Sequence, residues 1–170
     1  TYLYKMSIKI SFKDNILKKT SNNLVLFVDE KFNTKPLGKY LSNFEQSYIN
    51  DLLKNSDLKK NLLVFELNSK RKIVLISIKK NLKGFDIENL GAEFYDRINY
   101  GKNSEYWINS NTITKDNKNF INHFLHGLKL KSYEFNKYKT KKETRDVSIL
   151  VIGNKNKIKS NNYLKFKAIE

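Results

Sequence analysis

"NLVLFVD", Asn23 to Asp29, sets five consecutive apolar residues between a polar Asn and an acidic Asp. A half-exposed strand would place a polar residue at every second position, and an amphipathic helix would interrupt the run within a turn. An unbroken run this short fits a strand covered on both faces. Such strands occur in layered domains where helices lie against a largely parallel sheet.

The flanking sequence is read outward from that strand. Upstream, "MSIKISF" alternates from Met6 to Phe12 and puts Ile8, Ile10 and Phe12 on one face, so two strands open the domain. Downstream, "SNFE" at Ser42 to Glu45 has the form of a capping box, and Phe44, Tyr48, Ile49, Leu52 and Leu53 then mark one face of a helix. "LLVFEL" at Leu62 to Leu67 and "KIVLISI" at Lys72 to Ile78 are two more strands. The polar "NSKRK" between them has the length of a hairpin connection, so they are expected to pair antiparallel.

Asp86 is the expected N-cap of a second helix, with Ile87, Leu90, Gly91, Phe94 and Ile98 on one face. A mid-helix glycine costs about 1 kcal/mol relative to alanine. Close approach of this helix to the sheet is the expected compensation at Gly91, ahead of functional flexibility. "EYWINSN" at Glu105 to Asn111 reads as a short aromatic strand, and Asp116 as the cap of a helix carrying Phe120, Ile121, Phe124, Leu125 and Leu128. "VSILVIG" at Val147 to Gly153 supplies a last core strand, and Ser160 caps a terminal helix, "NNYLKFKAIE". The expectation is an α/β three-layer domain with a mixed sheet of about six strands flanked by helices.

Composition bounds the function. The chain has 170 residues, one proline, six glycines and no Pro/Gly/Ser-rich linker, which favours one domain over two. With no cysteine there are no disulfides, thiol nucleophiles or thiolate metal sites, and a cytoplasmic location is expected. "TYLYKMSIKISF" lacks the apolar stretch of a signal peptide, and "LVLFV" is far too short to span a bilayer, so no membrane role is expected. Lys and Arg number 33 against 17 Asp and Glu, a formal charge of +16, which raises nucleic acid or an anionic membrane as a partner. The lysines are spread along the chain and accompanied by many asparagines, a pattern that favours compositional drift on solvated faces at a mean hydropathy of −0.61.

No catalytic constellation emerges. His123 and His126 have the i,i+3 spacing of a two-imidazole metal site, but no cysteine or regularly spaced carboxylate completes the ligand set. The glycines at 38, 84, 91, 101, 127 and 153 are isolated, so no phosphate-cradling loop exists. No serine sits in a nucleophile elbow, and Glu66, Asp86, Glu88, Glu93 and Asp96 are read as solvated acids. In "YEFNKYKTKK", Tyr133, Phe135 and Tyr138 with Lys137, Lys139, Lys141 and Lys142 form a loose stacking-and-cation pattern for single-stranded nucleic acid. The favoured reading is that Tyr133 and Phe135 anchor the segment on the core while the lysines stay in water. No catalytic, cofactor-binding or metal-binding residue is assigned.

"GLKLKSYEFNKYKTKK", Gly127 to Lys142, resembles the segment near the end of the amino-terminal domain of the leucyl aminopeptidase (cytosol aminopeptidase) family. There a Gly-Leu helix end leads through Tyr-x-Phe-x-x-Tyr-Lys to a core strand. Gly127, Leu128, Leu130, Tyr133, Phe135, Tyr138, Lys139 and Thr140 carry the match, while His126 replaces the acidic residue expected before the glycine. "ENLGAEFYDRI" stands where the family has a Leu-Gly helix, and "KFKAIE" resembles the start of the helix that crosses into the catalytic domain.

The resemblance implies a macro-domain-like amino-terminal domain over residues 1–159, with 1–5 as a leader, Met6 as the candidate start, and 160–170 leading toward a catalytic domain. It also implies a hexameric aminopeptidase whose two zinc or manganese ions lie in that other domain, whose "NTDAEGR" signature is absent from this sequence. The expected role of this domain is assembly and positioning of the catalytic domain. Two alternatives stay open: a basic macro-like module for nucleic acid or ADP-ribose, and a freestanding structural subunit.

Overall fold

The computed structural model describes residues 8–14, 22–98, 104–113, 119–137 and 147–153. The leader at 1–5, the start at Met6, the cap at Asp116 and the terminal helix from Ser160 lie outside them. Six strands form one sheet: β1 (Ile8–Lys13), β2 (Asn23–Val28), β3 (Leu62–Asn68), β4 (Arg71–Ser77), β5 (Ser104–Asn109) and β6 (Val147–Ile152), in the spatial order β1-β6-β5-β2-β4-β3. Every neighbouring pair is parallel except β3 with β4. The two opening strands therefore do not lie together: β1 is an edge strand beside β6, and β2 sits between β5 and β4.

The unbroken apolar run of β2 has the predicted cause. Val25 and Phe27 enter one core with Val74, Ile76, Tyr106 and Ile108, whereas Leu24, Leu26 and Val28 enter a second core with Leu63, Phe65, Ile73 and Leu75. Both faces are covered from Leu24 to Val28, and each of these five positions carries an apolar side chain. The β3–β4 hairpin is antiparallel as expected, but tighter. The strands extend to Asn68 and Arg71, leaving Ser69 and Lys70 as the turn, and the register shifts between Glu66 and Asn68.

Among the described residues three helices cover the sheet: α1 (Asn43–Leu53), α2 (Gly84–Ile98) and α3 (Phe120–Lys137). The α2 stripe Ile87, Leu90, Gly91, Phe94 and Ile98 is buried as its spacing predicted, and so are Phe120, Ile121, Phe124, Leu125 and Leu128 of α3. Both pack on the first core, where the Phe27 ring lies nearly perpendicular to the Phe120 and Phe124 rings. Asp86 does not cap α2 from outside, since the helix begins at Gly84. Its carboxylate accepts the Lys83 amide from within the first turn.

Two expectations about glycines are corrected. A Cβ on Gly91 would fall on the carbonyl oxygen of Phe124 and 2.9 Å from the Leu128 nitrogen, so the close approach is to α3 and not to the sheet. Gly127 is not at a helix end, because α3 continues ten residues to Lys137. A Cβ there would overlap the Glu88 backbone, 2.6 Å from its Cα. The two glycines face each other's helix, and together they let α2 and α3 cross backbone to backbone.

On the other face α1 closes the second core with Ile49 and Leu53, helped by Leu37 and Leu41 from the preceding 3-10 turn and its exit. Ser42 and Glu45 form the predicted capping box. The predicted helix face is only partly right: Phe44 is 79% exposed and Tyr48 39%. The reason is Glu45. Its carboxylate is drawn to the buried Arg71 guanidinium (Oε2 to Nε 2.7 Å), so Glu45, Ile49 and Leu53 turn inward. Phe44 and Tyr48, each one residue earlier in the helical turn, turn outward.

Candidate functional site

The acidic residues read as solvated each find a non-acidic partner. Glu88 of α2 meets both imidazoles of α3: His126 Nδ1 lies 3.0 Å and His123 Nδ1 3.7 Å from the same Glu88 oxygen. Glu93 accepts from the Asn61 amide at 3.1 Å, Asp96 lies 3.8 Å from Lys131, and Glu66 lies 3.8 Å from Lys72. No acid in this set is paired with another acid, as shared-proton catalysis would need.

The histidine pair is thus brought together, with a third group that its spacing alone did not give. Glu88 could be found only from the α2–α3 crossing, because it lies 38 residues from His126 in sequence. Both rings are directed at one carboxylate oxygen, which is the geometry of a helix-to-helix tie. Among the described residues no group of three or more His, Cys, Asp or Glu is arranged to hold a metal ion. The described donors therefore do not make up a two-metal centre.

The carboxyl ends of the parallel strands form a second locus. The chain leaves β2 toward β4 and leaves β5 toward β6, so the adjacent ends of β2 and β5 are a topological switch point, the usual place for ligands in open α/β sheets. Here the segment Asn109 to Thr112 fills it with internal hydrogen bonds. Thr112 Oγ1 accepts from the Phe27 amide at 2.9 Å and donates to the Asn109 carbonyl at 2.7 Å, while Ser110 Oγ donates to the Ile152 carbonyl at 2.8 Å. These hydroxyls tie β2, β5 and β6 where ladder pairing stops. Gly153, at φ 134°, completes the closure, since a Cβ there would fall on Ser110 Oγ. The locus is a structural lock, and the sequence "NSNT" gave no sign of it beyond its polarity.

Electrostatics single out two further groups. Burial pushes the Glu45 carboxyl up, but hydrogen bonds from Arg71 and the Ser42 amide, with the Arg71 charge, bring it below the ordinary carboxylate value. Burial also pushes the Tyr106 phenol up, the Glu66 charge adding to it, so it stays protonated.

The aromatic-basic stretch is partly described. Tyr133 is 54% exposed on α3, so it does not anchor the segment on the core as expected. Helix α3 runs through this region, and at its pitch Tyr133 falls on the opposite side from Leu128. Tyr138, Lys139, Lys141 and Lys142 lie outside the described residues, as do the side chains of Phe135 and Lys137. No helix among the described residues is long and apolar enough to cross a membrane.

The chain matches no protein-family model and no curated protein. Among solved structures, it is similar in fold to a mutant of tomato leucine aminopeptidase, with a TM-score of 0.63 at 14% sequence identity. The similarity covers 97% of this chain and 36% of that one, so the chain spans about a third of the length of the aminopeptidase whose fold it shares.

Proposed function

We propose that this chain is a non-catalytic, macro-like amino-terminal domain of a leucyl aminopeptidase-type metallopeptidase, serving assembly and the positioning of a catalytic domain. The observation that carries the reading is the fold match, in which nearly all of this chain corresponds to little more than a third of an aminopeptidase. The larger remainder of that chain has no counterpart here. In the whole enzyme, a cytoplasmic hexamer on this reading, two zinc or manganese ions in the catalytic domain would activate water and polarise the scissile carbonyl.

The test has two parts. The purified chain is expected to release no amino acid from leucyl peptides when supplied with manganese or zinc. The reading frame after Glu170 is expected to continue into a Gly-x-x-x-Ala-Arg-Asp-Leu type segment and the family's metal motifs. Turnover by this chain alone, or a frame running on without those motifs, overturns the assignment.

A second reading, a basic module for nucleic acid or ADP-ribose, draws on the exposure of Tyr133. Lys129 and Tyr133 stand four residues apart along α3, a spacing that sets one ring beside one cation. On this reading, affinity for a single-stranded oligonucleotide falls steeply with salt and Tyr133→Ala weakens it. A flat salt response removes nucleic acid, and a calorimetric titration with no heat removes ADP-ribose.

A further inference from the structure

We propose that the outer face of α1 is a contact between two copies of this chain. The inference rests on the assembly role above and names the surface for it. Phe44 and Tyr48, one turn apart, stand out from the helix at 79% and 39% exposure with their ring planes 8° from parallel and centroids 6.3 Å apart. Each ring limits the other's movement, so the pair loses less side-chain freedom on being covered than two isolated rings would. Beside them runs a groove of about 620 Å³ lined by Asn43, Phe44, Ser47, Tyr48, Asp51 and Lys54.

Charge decides the occupant. Residues 40–53 contain no Lys or Arg, the longest such stretch in a chain of formal charge +16. The Glu45 charge is already met by Arg71, so the exposed stripe offers one acid, Asp51, and one base, Lys54. Nucleic acid or an anionic membrane would find no excess of cations here. A second copy, whose surface elsewhere would repel this one, meets an aromatic and locally neutral face. A two-fold contact requires self-complementarity, and an acid and a base three residues apart can pair reciprocally, Asp51 of each copy with Lys54 of the other. Because the long-range repulsion of two strongly cationic molecules is screened by salt, association should strengthen from low to physiological ionic strength, opposite in sign to polyanion binding.

The experiment is sedimentation of the 170-residue chain over a range of concentrations and salt, with circular dichroism to verify that each variant is folded. The chain is expected to dimerise reversibly. Phe44→Ser and Asp51→Lys should each weaken association by about tenfold or more, as truncation of a central interface residue does. The exchange Asp51→Lys with Lys54→Asp should restore it. Self-association indifferent to Phe44→Ser overturns this face and leaves the assembly role to another surface. A chain monomeric at every concentration and salt overturns both the contact and an assembly role for this domain, while the peptidase assignment still stands or falls on the reading frame after Glu170.

Discussion

A methyl group at Gly91 or Gly127 would occupy space already taken by the backbone of the facing helix, at Phe124 in one case and Glu88 in the other. Alanine in a helix interior ordinarily gains about 1 kcal/mol over glycine. Here the α2–α3 crossing must open to admit it, and overpacking of this kind costs about 1–3 kcal/mol or more. Gly91→Ala and Gly127→Ala are therefore expected to lower the urea midpoint, with a net loss of about 2 kcal/mol each. Gly38→Ala is the control, since its Cβ would sit 3.6 Å from Gln46 Oε1, an ordinary contact, and a small gain of about 0.4–1 kcal/mol is expected. If the two helical variants are as stable as Gly38→Ala, the close crossing is wrong. The sequence showed Gly91 inside a buried stripe, because that follows from spacing within one helix. It did not show which neighbour came close, because that depends on the register between two helices whose touching residues, such as Gly91 and Phe124, lie 33 or more positions apart in the chain.

At the scale of elements, what periodicity controls was legible and what rotation controls was not. The β2 run, the α2 and α3 stripes and the Ser42–Glu45 box are local patterns, and each appears where its spacing put it. The rotation of α1 is set instead by an ion pair between Glu45 and Arg71, 26 residues apart, which the apolar pattern of α1 does not report. Glu45 thus does two things at once: it closes the cap on Ser42 and it neutralises a buried guanidinium. Ser42→Ala should cost about 1 kcal/mol, and Glu45→Gln about 1–3 kcal/mol. Their double variant should fall short of the sum, because both changes break the same box. The pH dependence follows from the lowered Glu45 carboxyl. The folded state holds the proton less tightly than the unfolded state, whose ordinary value is 4.5, so the stabilisation is fully present above that pH and is lost as pH falls through the folded value beneath it. The stability gap between wild type and Glu45→Gln, measured by denaturation at a series of pH values, should be wide at pH 7 and close in acid. A gap constant down to the acid limit would mean that the carboxylate charge contributes nothing.

For the whole molecule, the layered fold could be read because each strand declares itself locally, by an apolar run, by alternation at Ile8 to Phe12 or by the aromatics of Tyr106 and Trp107. The candidate sites could not, because they depend on tertiary neighbours: Glu88 on two histidines, and the hydroxyls of Ser110 and Thr112 on strands to either side. Net charge is the one property that sequence fixes without reference to the fold, and it bears on the stability of the entire domain. A folded chain of 170 residues has a radius of gyration of about 15 Å, well inside the Debye length of about 30 Å at 0.01 M salt. Under those conditions every lysine repels most of the others, and unfolding relieves the repulsion. Near 0.3 M salt the Debye length is below about 10 Å, and only neighbours interact. Salt also weakens attractive pairs such as Lys131–Asp96 and Lys72–Glu66, but at 3.8 Å on an exposed surface each contributes little, in the range of about 0–1 kcal/mol. With 33 basic residues against 17 acidic ones, relief of repulsion should win. The melting temperature is expected to rise by about 3–6 °C between those two salt concentrations, equally in sodium and potassium chloride. A fall over the same range would show that paired charges, and not the cationic excess, govern the stability of this domain.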